Sequence, residues 1–120
     1  MEGGMAGMTH LLALPVHPDA VFAATDFAAI GAAQFLKQQG IRVPDDVLLA
    51  GFGNELMSAY VDPPLTTASQ LNVQMGEAAV RLLLNKLEKT DTGPAPHRFV
   101  LKPELIVRRS SERQILTEGQ

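Results

Sequence analysis

Two short apolar runs, Val21–Ala24 and Val47–Ala50, each give way to small or polar residues and then to a helical pattern. Continuous apolar runs of this length suit strands buried on both faces of a parallel sheet. The pattern predicts strands over Asp19–Ala24 and Val47–Gly51. Before the first run, Met5, Met8 and Leu12 recur at helical spacing with Leu11 beside them, giving a short helix over Gly3–Leu14 that Pro15 and Pro18 stop. Between the runs a helix is expected from Asp26 to Gln39. Ala29, Ala32, Ala33 and Leu36 form its inward face, Thr25 or Asp26 its cap, and Gly40 its left-handed stop.

Ile41–Asp46 then reads as a turn built on Pro44 and two acids. After the second run come a short helical stretch, Glu55–Tyr60, and a corner at Asp62-Pro63-Pro64. The extended segment Leu65–Ser69 follows, with threonines that favour strands. Asn72 opens the longest helix, reaching about Lys89, with Val73, Gly76, Val80, Leu83, Leu84 and Leu87 on one stripe opposite Glu77, Arg81 and Glu88. Thr90–Pro96 is a polar loop. Arg98–Leu101 and Leu105–Arg108 suggest a closing pair of strands interrupted by Pro103, and Ser110–Gln120 a frayed polar end.

Alternating helices and strands define an α/β chain with a parallel sheet flanked by helices. Doubly wound domains commonly have about six strands, and only two well-defined central ones are visible here. The sequence therefore reads as part of a larger domain whose sheet is otherwise left with an open edge. In open α/β sheets ligands bind outside the carboxyl ends of the strands. That rule gathers Thr25, Asp26, Gly53 and Asn54 on one rim, with Asn72 as a further candidate.

Composition narrows the chemistry. With 46% apolar residues, a mean hydropathy of +0.07 and no apolar stretch near the length of a membrane span, the 120-residue chain reads as soluble and free of membrane partners. The start lacks the charge pattern and apolar core of an export signal, so a cytoplasmic location is expected. A net charge of −3 offers no broad face to a phosphate backbone, and the cluster Arg108, Arg109 and Arg113 reads as a solvated strand end. There is no cysteine. His10, His17 and His97 are scattered without metal-ligand spacing, so no metal or cofactor is expected.

Gly51-Phe52-Gly53 lacks the third glycine and the following acid of a dinucleotide fingerprint. Ser58, Ser69 and Ser110 lie outside any nucleophile elbow, and Asp45-Asp46 is turn chemistry. No acid–base or nucleophile pair is apparent, so the chain is not read as an enzyme. Asp26 and Asn54 each suit helix capping and also suit hydrogen bonding to a polar ligand. Phe27, Ile30 and Gln34 lie on a helix face apart from the alanine stripe. With Met57, Tyr60 and Val61 they form an apolar surface that something else should cover.

The order of these motifs resembles the effector-binding domain of LacI/GalR-type transcriptional regulators. The resemblance is carried by Pro18–Asp26 with Ala28–Ala32, by Gly40–Val47, by Gly51–Asn54, by Asp62–Thr67, by Gln70 with Met75-Gly76, and by Leu101–Arg108. It implies part of a periplasmic-binding-protein-like fold, in which residues 1–112 are the C-terminal portion of an effector-binding and dimerisation domain and 113–120 a flexible tail. The segment and helix over about 65–90 would belong to the N-terminal subdomain.

The resemblance also implies a homodimer pairing through Phe27, Ile30, Gln34, Met57, Tyr60 and Val61, and a small sugar-like effector. It implies that operator DNA is bound only through a helix-turn-helix domain that this chain lacks. Thr25 stands where the family often has Asn, and Gly53 where it often has Asp, while Asp26 is kept. A periplasmic sugar-binding transport protein of the same fold is the alternative.

Overall fold

A computed structural model describes residues 1–88 and 98–114. The element order is α1 (Glu2–Leu12), β1 (Ala20–Phe22), α2 (Asp26–Gln38), β2 (Leu48–Ala50), β3 (Thr67–Ser69), α3 (Asn72–Glu88) and β4 (Glu104–Ile106), with 3₁₀ turns at Leu56–Ala59 and Arg109–Ser111. β1 and β2 pair in parallel, Ala20 opposite Leu48 and Phe22 opposite Ala50. The sheet continues through parallel bridges from Ala50 to Thr66 and from Gly53 to Ser69, and β4 then pairs antiparallel with β3, Thr67 opposite Ile106.

The α/β architecture and the position of each helix follow the sequence pattern, with strands shorter than expected. Thr25 caps α2, its hydroxyl accepting the Ala28 N–H at 3.2 Å. Gly40 takes the left-handed φ of 72° that ends the helix. Ala29, Ala32 and Leu36 are buried, and with Met8, Ile30, Val47, Leu49 and Leu65 they form the core between α1, α2 and the sheet.

Three expectations change. Residues 98–101 form no strand, and β4 pairs with β3 instead of with them. Pro103 has no N–H to donate to a ladder, whereas β3 still had an edge of unpaired backbone groups to offer Glu104–Ile106. The C-terminal end does not fray at Ser110. That residue is 1% exposed, its N–H donating to Pro64 O at 3.0 Å and its hydroxyl to Leu49 O at 2.6 Å. Ile30, read as part of an exposed pairing face, lies in the core because α2 turns it toward Val61 and the Leu65 segment. The Thr90–Pro96 loop and the tail beyond Gln114 lie outside the described residues.

α3 buries none of its residues. Its apolar stripe is open, from Leu84 at 48% exposed to Val73 at 71%. The radius of gyration is 19.5 Å, against about 14 Å for a compact domain of this length. Much of the chain's apolar surface is therefore displayed.

Candidate functional site

The rim at the carboxyl ends of β1 and β2 is organised around Asp26. Its backbone N–H donates to Phe52 O at 3.0 Å, joining the β1–α2 turn to the segment that leaves β2. Its side chain is fully buried. Oδ2 accepts the Glu55 N–H at 2.7 Å and Oδ1 accepts the Thr67 hydroxyl at 2.6 Å. A carboxylate with both oxygens so engaged acts as a girder between three chain segments, and its desolvation is compensated by charge-assisted bonds.

Gly51 makes this approach possible. A Cβ there would overlap Asp26 Oδ1 and come within 3.2 Å of the Ala29 methyl. Gly53 meets a different need, a φ of 126° open in practice only to glycine, from which its N–H reaches Ala68 O at 2.9 Å. The space a side chain would fill at Gly53 is bordered by Gln70 Nε2 at 3.6 Å and Glu55 Oε1 at 3.8 Å. A donor and an acceptor thus flank an opening in the rim.

Asn54 follows with a left-handed φ of 54°, a conformation asparagine tolerates better than most residues. Its N–H donates to Thr67 Oγ1 at 3.1 Å, and its Oδ1 accepts from Arg108 Nη2 at 3.2 Å. It does not cap the 3₁₀ turn that follows, whose leading position is Glu55 without a side-chain cap. Thr25, Asp26, Gly53 and Asn54 are therefore neighbours, joined through Thr67. Asn72 opens α3 two positions beyond Gln70 and makes no side-chain hydrogen bond among the described residues.

Arg108 was not anticipated. Read as part of a solvated strand end, it instead turns inward, Nη1 donating to Ser58 Oγ at 3.0 Å and to Leu65 O at 2.9 Å. Its backbone N–H donates to Thr66 Oγ1 at 2.8 Å. Thr67 was read only as a strand former, yet it is fully buried and links Asp26 to Asn54. The sequence signal available was the pair Thr66-Thr67 directly before Ala68-Ser69, where hydroxyls inside an otherwise apolar strand need partners. No buried side-chain polar atom lacks one among the described residues.

The arrangement gathers hydrogen-bond donors and acceptors at the strand ends, and no acid–base or nucleophilic pair is formed there among the described residues. No group of three or more acidic or histidine residues is placed to hold a metal among the described residues. No helix described is long and apolar enough to cross a membrane.

The family described as periplasmic binding protein-like domain matches residues 2–111. The chain belongs to that family. Its relatives are LacI-type regulators. It is 43% identical over 112 residues to the HTH-type transcriptional regulator MalR of Streptomyces coelicolor, covering 92% of this chain and 31% of MalR. It is 38% identical over 110 residues to the transcriptional repressor CytR of Escherichia coli K12, covering 92% of this chain and 32% of CytR. The transcriptional regulator CelR in complex with cellobiose superposes with a TM-score of 0.83 at 36% identity, covering 92% of this chain and 33% of CelR. A LacI-type regulator from Bacillus cereus subsp. cytotoxis gives 0.85 at 29% identity, covering 92% and 39% of the two chains. The chain thus spans about a third of the curated relatives it matches. These relatives do not favour the transport-protein alternative.

Proposed function

We propose that this chain is the C-terminal, effector-sensing and pairing portion of a LacI/GalR-type transcriptional repressor, responding to a small polar, sugar-like ligand. The observation that carries the reading is the rim itself. Asp26, Thr67 and Asn54 interlock at the strand ends, with Thr25 and Gly53 adjoining them in the chain. Cleft ligands of this fold class are expected there, and Asn54, Gln70 and Glu55 supply the neutral and charged hydrogen-bonding groups a hydroxyl-rich ligand requires. Asp26 takes part by holding the rim in shape.

In this reading α3 and the segment leading into it belong to a second lobe, which would close over the rim. Phe27, Gln34, Met57 and Tyr60 are exposed beside the groove lined by Ile30 and Val61, and they form the face through which two copies pair. Effector binding biases one lobe arrangement over another and thereby repositions DNA-binding heads carried elsewhere in the polypeptide. The protein works in the cytoplasm, catalyses no reaction and needs no cofactor.

The deciding experiment is calorimetric titration of the 120-residue chain with cellobiose and with maltose, beside a gel shift on DNA carrying candidate operators. With only one wall of the cleft present, binding at millimolar strength or weaker is expected, roughly a −4 kcal/mol interaction, together with no sequence-specific shift. A specific, salt-sensitive gel shift by this chain would overturn the assignment, and micromolar sugar binding would overturn the expectation that one wall of the cleft binds weakly.

A further inference from the structure

The opposite end of the sheet carries a second concave site. The turn after α2 and the Asp62-Pro63 corner border a half-open hollow of about 380 Å³ at the amino ends of β2 and β3, within the range of roughly 300–1,000 Å³ typical of small-molecule pockets. Its walls are apolar at Ala33, Ile41, Val43 and Pro63, and cationic at Lys37, Arg42 and Arg109. Asp62 is the one acid on its lining.

The charges differ in what already holds them. Arg42 is fixed by Asp46, with Nη2 to Oδ1 at 2.7 Å and Nε to Oδ2 at 2.9 Å, and Asp45 lies 3.7 Å from Nη1. Lys37 and Arg109 have no ion pair or side-chain hydrogen bond among the described residues, although the protein as a whole carries a net charge of −3. The backbone beside Arg109 is fixed, because the next residue, Ser110, is buried and bonded to Pro64 and Leu49. Lys37 lies in the last turn of α2, where it offsets the carbonyl end of the helix. Two uncommitted cations in one partly apolar pocket of an acidic protein match an anion attached to an apolar body.

We propose that this pocket is a binding site for a small phosphomonoester, its phosphate held by Lys37 and Arg109 and its organic part against Ile41, Val43 and Pro63. A planar guanidinium and an ammonium are the groups that recognise phosphate oxygens by charge-assisted bonds. Asp62 disfavours a ligand charged over its whole length and leaves room for a body that is neutral away from the phosphate. The site lies apart from the rim and does not depend on what binds there, while Lys37 and Asp62 also border the groove beside the proposed pairing face.

The test is a titration of the full 120-residue chain with phenyl phosphate and with inorganic phosphate, at constant ionic strength held by chloride, followed by amide chemical shifts. Saturable shifts are expected at Gly40, Ile41 and Arg109, with phenyl phosphate binding more tightly than inorganic phosphate. Loss of one charge-assisted contact in Lys37→Gln should weaken binding about tenfold, and combination with Arg109→Gln should abolish it. Both side chains are exposed and have no side-chain partner among the described residues, so the variants should stay folded, with Lys37→Gln melting slightly lower as it loses its interaction with the helix end. The proposal is overturned by non-saturating shifts spread over all basic surface residues, by shifts confined to the rim, or by undiminished binding in the double variant.

Discussion

The Thr67 hydroxyl donates to Asp26 Oδ1 at 2.6 Å, joining residues 41 positions apart in the sequence. The same oxygen accepts the Asn54 N–H. One buried side chain therefore connects the cap region of α2, the turn after β2 and the β3 segment that leads to α3. Any movement of β3 relative to the rim must be transmitted to, or broken at, this hydroxyl.

Thr67→Val keeps shape and burial while removing both bonds. It leaves the buried Asp26 Oδ1 and the part-buried Asn54 N–H without these partners, which should cost about 3 kcal/mol. Thr67→Ser retains the hydroxyl and loses one buried methyl, worth about 1 kcal/mol. Urea denaturation of the two variants distinguishes them. Equal losses would mean that packing at Thr67, and not the link to Asp26, stabilises the rim.

Glycines at two positions should respond in opposite directions. Gly51→Ala drives a Cβ into the buried Asp26 carboxylate, whose two oxygens are held by Glu55 and Thr67, and close to the Ala29 methyl, at a cost of about 1–3 kcal/mol. Gly76 lies on α3 with nothing within 4 Å of a built Cβ, so Gly76→Ala should stabilise the helix by roughly 0.5–1 kcal/mol. Thermal melting followed by circular dichroism reads both. A destabilised Gly76→Ala would show that α3 is packed closely against something on that side.

The Arg42–Asp46 pair gives a pH signature. Hydrogen bonds from the Arg42 side chain and backbone hold the Asp46 carboxyl at about 2, below its ordinary 3.8. Because the folded-state value is depressed, the carboxylate's contribution to stability is fully present above the ordinary carboxylate range and is lost as pH falls through about 2. Both side chains are largely exposed, so the effect is modest and screened by salt. NMR titration should find the Asp46 midpoint near 2 in the parent chain and returned toward its ordinary value in Arg42→Gln. The stability gap between the two proteins should also narrow at low pH. An unchanged midpoint in the variant would rule out Arg42 as the cause.

Much of this organisation was legible in the sequence. The runs Val21–Ala24 and Val47–Ala50 located the central strands, and the alanine face of α2 located the core, because burial on both faces of a parallel strand leaves a continuous apolar signature. The position of Asp26, at a strand's carboxyl end and the start of α2, was legible too. Its partners were not, since the Thr67 hydroxyl and the Glu55 N–H come from segments 41 and 29 positions away, and no local pattern encodes such a meeting. Arg108 illustrates the same limit. In sequence it is one of two adjacent arginines near the end, and only the β3–β4 pairing turns it toward Asn54, Ser58 and Leu65 while Arg109 faces solvent. Residues 98–101 failed as a strand because alternation and β-propensity reflect packing partners, and β3 had already taken Glu104–Ile106.

The open stripe of α3 leads to a prediction about association. Val80, Leu83 and Leu87 are each more than half exposed, and Phe99, Val100 and Leu105 add further uncovered apolar side chains. A surface of this kind is rarely left to water in a soluble protein, and no polar alternation along the stripe offsets it. Copies of the chain should therefore associate through α3, in addition to any pairing at the Phe27–Tyr60 face. The triple substitution Val80→Lys, Leu83→Lys and Leu87→Lys breaks the apolar stripe in the second half of α3, uses a good helix former, and at position 87 places a cation in the last turn, where it is favourable. Light scattering over a concentration series should show the parent chain growing in mass with concentration and the triple variant losing that growth, with helicity little changed. A parent chain that stays monomeric throughout would mean that α3 tolerates solvent as it stands.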